Sequence, residues 1–272
     1  MFKSIDLYSG LSACQPYAHR GLALDCPENT VAAFAAAAAQ GVQWIETDVR
    51  ASADGKVLVF HDASLGRVAG LPGKLSQLTW DEIKDINLPG GHKIPLLADV
   101  LEEFPDLYFN IDIKDWGSAQ QAAEVIAQAG AAQRVRIASF SDRRRTYVLK
   151  RLRELLPDQQ VRTSASEPSI YVFFLLAYTF PSLWPFARRV LGHWVEPFEA
   201  IQVPHYLELG ALRVPVLTRR LLAVCHRFGY QVQVWTVDDS EQMRQLLAQG
   251  VDGIVSNRVD ILGKILKEDR EL

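Results

Sequence analysis

Two periods of apolar residues alternate along this chain. Eight short runs rich in β-branched and apolar residues stand out: PYAHRG, WIETDV, LYFNIDIK, RVRIASF, VRTSAS, AIQVP, QVQVWTV and GIVSN. Their length and composition predict strands. Helical stretches separate most of them, at Ala32–Gln40, Ala119–Gln128, Tyr147–Leu156, Arg219–Phe228 and Glu241–Gln249. The first is nearly all alanine, the best helix former. Asn29 or Thr30 can cap its start, and Gly41 its end. Strands that alternate with helices pair in parallel. Eight of them within 272 residues predict a closed (β/α)8 TIM barrel rather than an open sheet. No linker-like stretch and no internal repeat divides the chain, so residues 1–272 are expected to form one domain.

Two segments depart from the alternation. ASADGKVLVFHD follows the second strand directly, and Asp54-Gly55 predicts a two-residue β-hairpin turn. That turn would pair Ala53 with Lys56, Val49 with Phe60, and Asp48 with His61. The second segment is Pro168–Ala187, which carries no charged residue and seven aromatic ones. A membrane span needs about 20 predominantly apolar residues. Pro181 and Pro185 interrupt any helix there, which argues against a span. Two readings stay open: a helix and loop packed on the outside of the barrel, or an apolar rim at its mouth. Arg188 and Arg189 follow, and aromatics beside arginines suit a lipid headgroup interface.

The chain is 49% hydrophobic with a formal net charge of −3. It is long and apolar enough to bury a core without disulfides, and its charge offers no footprint for nucleic acid. The three cysteines Cys14, Cys26 and Cys225 form no CxxC pair, and the first 21 residues hold no apolar run of signal-peptide length. A cytoplasmic protein is expected, with peripheral contact at a membrane if the Pro168–Ala187 segment forms a rim.

The chemistry concentrates at strand ends. With a period of two, Glu46 and Asp48 share one face of the second strand, and Ile45 and Val49 the other. The third strand repeats this, with Asn110, Asp112 and Lys114 opposite Ile111 and Ile113. Buried carboxylates are costly unless paired or metal-bound. Three in one barrel mouth suggest a hard divalent cation, Mg²⁺ or Ca²⁺. An ion-pair network with Lys114 and Arg20 is the other reading. His61 arrives beside this cluster at the end of the hairpin, and His19-Arg20-Gly21 closes the first strand. Glu46, Asp48 and Asp112 bring three negative charges against two positive ones on Arg20 and Lys114. One divalent cation would leave a single positive charge, which a phosphodiester monoanion neutralises. Two histidines and a cation suit displacement at phosphorus.

AHRG, PENT before an alanine-rich helix, IETDV, the DG turn and FHD resemble the glycerophosphodiester phosphodiesterase family. Gly73–Thr79, IPLLADVL, NIDIK, ASF, VWTVDD and GVDGIVSN extend the resemblance over residues 17–262. It implies a (β/α)8 barrel that hydrolyses glycerophosphodiesters to glycerol 3-phosphate and an alcohol, with the substrate's own glycerol hydroxyl attacking first. It implies His19 and His61 as the acid/base pair and Glu46, Asp48 and Asp112 as ligands of one Mg²⁺ or Ca²⁺. Arg20 and Lys114 would contact phosphate, Trp235 would line the pocket, and Glu28 and Asn29 would support the site. Three positions depart from the family pattern. Asp112 stands where a glutamate is usual, Ala98 where an acidic residue is common, and Val259 where a proline is frequent. The expected partner is a small glycerophosphodiester. A lysophospholipase D acting on lipid-like diesters is the nearest alternative, with Pro168–Ala187 as its rim. A non-catalytic lipid-binding barrel and a metal-dependent aldolase or isomerase on the same fold are alternatives of other classes.

Overall fold

The computed structural model describes residues 14–190, 197–210 and 212–270. Its strands are β1 (Gln15–His19), β2 (Trp44–Ala51), β3 (Val57–Val59), β4 (Tyr108–Ile113), β5 (Val135–Ala138), β6 (Arg162–Thr163), β7 (Ala200–Pro204), β8 (Tyr206–Leu209), β9 (Leu212–Pro215), β10 (Gln231–Trp235) and β11 (Gly253–Ser256). The helices are α1 (Val31–Ala39), α2 (Gly66–Ala69), α3 (Trp80–Ile83), α4 (Leu97–Glu103), α5 (Trp116–Gln128), α6 (Asp142–Leu155), α7 (Glu167–Tyr178), α8 (Trp184–Val190), α9 (Arg219–Arg227), α10 (Ser240–Gln249) and α11 (Val259–Arg270).

Eight parallel strands run side by side in the order β6-β5-β4-β2-β1-β11-β10-β7. The two ends of this path meet through a parallel bridge between Ser164 and Ala200. The Ala165 amide donates to the Ala200 carbonyl there, at 2.8 Å. All eight predicted runs contribute a strand, and the predicted TIM barrel is observed. Strand β6 is the shortest, with only Arg162 and Thr163 in regular pairing.

Period two sorts the strand residues as expected. Ile45, Val49, Ile111 and Ile113 are fully buried in the layer under the helices, with Phe34, Ala119 and Ala122. Helix α1 starts where Thr30 accepts from the Ala33 amide, and Gly41 turns the chain at φ +80° after it. The opposite faces of the strands point into the barrel. Toward its N-terminal end they carry Tyr17, Trp44 and Arg136, each at most 2% exposed. Arg136 and Gln233 both donate to the Tyr17 hydroxyl, at 2.8 and 2.7 Å. Arg136 also lies over the Trp44 ring, 5.1 Å from its centroid. The barrel is thus filled below the level of His19 and Glu46.

The hairpin differs from the sequence expectation by one residue. Val49 pairs with Val59, and Ala51 with Val57, and the Phe60 amide donates to Asp48 O. Three residues, Ala53, Asp54 and Gly55, make the loop, with Gly55 at φ +80°. The Ser52 hydroxyl donates to Asp54 and accepts from the Lys56 amide, which favours the longer loop over a two-residue turn. Asp48 therefore does not face His61 across the ladder.

Residues 61–94 form a cap with its own apolar cluster of Leu65, Leu75, Ile83, Leu88 and Ile94 around Phe60 and Leu58. The antiparallel pair β8–β9 is a second feature that the strand pattern did not announce.

Candidate active site

The carboxyl ends of the strands surround one cavity of about 600 Å³. His19, Arg20, Glu46, Asp48, His61, Asp112, Lys114 and Trp235 all line it. Parallel pairing sets Glu46 beside Asn110 and Asp48 beside Asp112, so one register delivers the acids together.

His19 ends β1. Its Nδ1 lies 2.7 Å from Asn257 Oδ1, which leaves Nε2 facing inward, 3.9 Å from Glu46 Oε2. Asn257 is itself held by Asp238, through both its amide nitrogen and its side chain. Burial, followed by the neighbouring Arg20 charge, lowers the His19 pKa. The ring is therefore neutral near pH 7 and able to accept a proton.

Arg20 and Asn29 adopt left-handed backbone conformations, at φ +56° and +57°. A side chain on Gly21 would bring its Cβ within 2.7 Å of Ala33, so the HRG turn needs glycine at its third place. Arg20 is aimed inward by Asp48 and Glu28, at 3.0 and 2.8 Å. Asn29 donates to Asp48 Oδ2 and accepts from the Thr47 hydroxyl. Glu28 and Asn29 thus contact the site only through other residues.

His61 follows β3. Its Nδ1 lies 2.6 Å from Asp62 Oδ1, and its carbonyl accepts from Arg50 at 2.6 Å. Arg67 then joins both arms of the site. It donates to Asp62 at 2.6 Å and, bidentately, to Glu28 at 2.7 and 3.0 Å. The path His61–Asp62–Arg67–Glu28–Arg20 is continuous. Arg67 holds the Asp62 carboxyl down at about 2. Asp62, Arg67, Asn257 and Asp238 were missed in the sequence. Asp62, Asp238 and Asn257 do stand inside the FHD, VWTVDD and GVDGIVSN stretches, whereas Arg67 lies in no such stretch.

The electrostatics expose a charge deficit. Lys114 bridges Asp112 and Asp48, at 2.6 and 2.9 Å. Burial would raise the Asp48 carboxyl, but Lys114 and Arg20 outweigh it and hold the group low. Glu46 has no such pairing, and burial, reinforced by Asp48, pushes it well above the usual carboxylate range. Burial also raises Asp112 despite Lys114. Glu46 Oε2, Asn110 Oδ1 and Asp112 Oδ1 are buried with no hydrogen-bond partner. Hard oxygen donors and unpartnered acceptors fit a divalent cation in donor type. Among the described residues, no three of His, Cys, Asp and Glu yet converge to ligating geometry. With Lys114 between the aspartates, the ion-pair network foreseen in the sequence is present.

Trp235 ends β10 and meets Phe140 edge-on, with ring centroids 6.3 Å apart. The run Arg143–Arg145 is less solvated than a helix start would suggest. Arg145 is fully buried and pairs with Asp142 at 3.0 Å, and Arg144 donates to the Ile113 carbonyl. Among the described residues, no helix is long and apolar enough to cross a membrane. Helix α7 divides the two readings of Pro168–Ala187. Phe173 and Ala177 are buried in the core, while Tyr171, Phe174 and Tyr178 line the cavity.

Similarity searches agree with this architecture. The chain is 36% identical over 250 residues to the probable glycerophosphodiester phosphodiesterase 2 of Mycobacterium tuberculosis, covering 92% of this chain and 89% of that protein. A Thermotoga maritima glycerophosphodiester phosphodiesterase structure superposes with a TM-score of 0.66 at 27% identity, covering 93% of this chain and 98% of that one. An Oleispira antarctica phosphodiesterase in complex with the product sn-glycerol-3-phosphate superposes with a TM-score of 0.68 at 21% identity, covering 93% and 96%. The model of the glycerophosphoryl diester phosphodiesterase family matches residues 19–261, and the chain belongs to that family.

Proposed function

We propose that this chain hydrolyses glycerophosphodiesters to glycerol 3-phosphate and an alcohol, using residues 1–272 as one barrel domain. The observation that carries this reading is two imidazoles, each anchored through Nδ1, lining a cavity whose buried acids exceed its cations by one charge. Glu46, Asp48 and Asp112 would hold Mg²⁺ or Ca²⁺, with Lys114 moving off the aspartates onto the phosphate. When bound, that ion would neutralise a non-bridging phosphoryl oxygen. Arg20 would grip a second oxygen through its planar fork. His19 Nε2 accepts the proton of the attacking hydroxyl as its oxygen bonds to phosphorus. His61 Nε2 donates a proton to the alkoxide as the P–O bond to the alcohol breaks. The substrate's own glycerol hydroxyl as attacker leaves a cyclic phosphate. Water then bonds to phosphorus, giving its proton to His61, while His19 returns a proton to the glycerol oxygen as the ring P–O bond breaks, so one water is consumed overall. Trp235 and Phe140 wall the site on the β10 and β5 sides.

Peripheral contact with a lipid surface is a further part of this proposal. It is supported by exposed Leu175, Phe180 and Phe186 and by Arg188 and Arg189, which follow them in the same segment.

Choline release from glycerophosphocholine tests the reading. It should stop with EDTA, return with Mg²⁺ or Ca²⁺, and fall at least a hundredfold in His19→Ala and in His61→Ala, in line with general acid–base contributions of about 10²–10⁴. Undiminished release in either folded variant would refute the assigned roles.

A further inference from the structure

The candidate catalytic residues, at the strand ends, form one side of the cavity. The other side is walled by Ile170, Tyr171, Phe174 and Tyr178 of α7 and faced by Leu207 and Val216 around the β8–β9 pair. Ile170, Phe174 and Tyr178 recur every four residues, so they form one stripe on the helix. Phe173 and Ala177 face the other way. The Phe173 ring lies 5.0 Å from Trp184 and 5.5 Å from Tyr230, which fixes α7 on the barrel. A helix that is apolar all round is normally buried all round. Here one face is buried in protein, a second lines the cavity, and Leu175 is exposed to solvent. Glu167 is the charged residue of this helix on the cavity wall, and its carboxylate accepts from the Tyr171 hydroxyl at 2.7 Å.

At about 600 Å³ the cavity falls within the roughly 300–1,000 Å³ of pockets that enclose most of a drug-sized ligand. The phosphodiester and its glycerol need only the catalytic side. We infer that the far side receives an aliphatic chain carried by the substrate, so that the preferred diesters are single-chain lipids rather than fully deacylated ones. The inference rests on the hydrolase reading above. The chain enters on either side of phosphorus: on the glycerol, as in a lysophospholipid, or on the leaving alcohol, as in a glycerophospho-N-acylethanolamine. Either source presents the same chemistry to the α7 stripe, a flexible run of methylenes.

A chain-length series tests this at concentrations below micelle formation, where no lipid surface exists. kcat/KM is measured for glycerophosphocholine and for its butanoyl, hexanoyl and octanoyl lyso derivatives. A parallel series carries the same acyl groups on glycerophosphoethanolamine nitrogen. Burial of a methylene is worth up to roughly a fourfold gain. kcat/KM should therefore climb at least twofold per methylene in one series and then level off once the chamber is full. The series that climbs identifies the side of the chain. Phe174→Asn and Leu207→Asn, from opposite walls, should each flatten the slope. That slope is a ratio within one protein, so a general loss of activity cancels.

A flat or falling series on both sides overturns the inference while leaving the hydrolase reading intact, provided glycerophosphocholine is cleaved. An unchanged slope in both variants also overturns it, because the chain would then bind elsewhere. No cleavage of any diester, glycerophosphocholine included, removes the hydrolase reading and the inference with it.

Discussion

Arg67→Ala should damage catalysis far more than stability. The guanidinium is 50% exposed and makes three bonds to two carboxylates, Asp62 and Glu28. Ion pairs this exposed contribute roughly 0.2–1 kcal/mol each. About 1 kcal/mol lost from a chain of this size lowers the melting temperature by roughly 2–4 °C. The catalytic loss follows from position. Asp62 would lose its lateral anchor and with it the fixed direction of the His61 ring. Glu28 would lose two bonds and hold Arg20 less firmly. A misplacement of about 1 Å can cost on the order of a hundredfold. Steady-state kinetics on glycerophosphocholine should show kcat down about 10- to 100-fold through His61 and KM up through Arg20. Arg67→Lys reaches one carboxylate but cannot fork to both, so it should recover part of one parameter only. A folded Arg67→Ala enzyme whose kcat and KM both stay within threefold of the parent would refute the reasoning.

Two further outcomes are expected. The Asp62 carboxyl is held at about 2, against an ordinary value of 3.8, chiefly by Arg67. A folded pKa below the unfolded one stabilises above the unfolded value and loses that stabilisation as pH falls through the folded one. Urea melts of the parent and Asp62→Asn should therefore differ most above about pH 4 and converge toward about pH 2. A gap that widens on acidification would contradict this. Burial raises the thiols of Cys14 and Cys225 to about 12, whereas Cys26 is half-buried. Iodoacetamide at neutral pH should add one label to the native protein, at Cys26, and three after unfolding. Mass spectrometry that finds rapid labelling of native Cys14 or Cys225 would contradict the packing described.

The barrel was legible because period-two strands and capped helices are local signals. Glu46, Asp48, Asn110 and Asp112 face inward simply because Ile45, Val49, Ile111 and Ile113 need the helices. The hairpin register was less legible. One serine side chain bonded to Asp54 and Lys56 lengthens the loop by a residue, and a composition rule for Asp-Gly turns does not register that. Arg67 was illegible for another reason: its partners lie 5 and 39 residues away, and only the folded cap brings them together. Arg145 carries no sequence sign of burial: Asp142 is one helical turn away, but Thr163 reaches it only when α6 packs against β6. Helix α7 could not be assigned to rim or core from its sequence, since both of its faces are apolar and only the tertiary fold shows which one meets protein.

The filled floor of the barrel has a consequence for traffic. Among the described residues, Tyr17, Trp44, Arg136 and Gln233 fill the barrel beneath the histidines, so arrival and departure cross the rim that carries α7 and the β8–β9 pair. The two products of one turnover then queue at the doorway that admits the next substrate. A departing molecule with a greasy tail would leave slowly past that rim, and a water-soluble one quickly. On a substrate with such a tail, the fragment that keeps it would set the pace of the cycle.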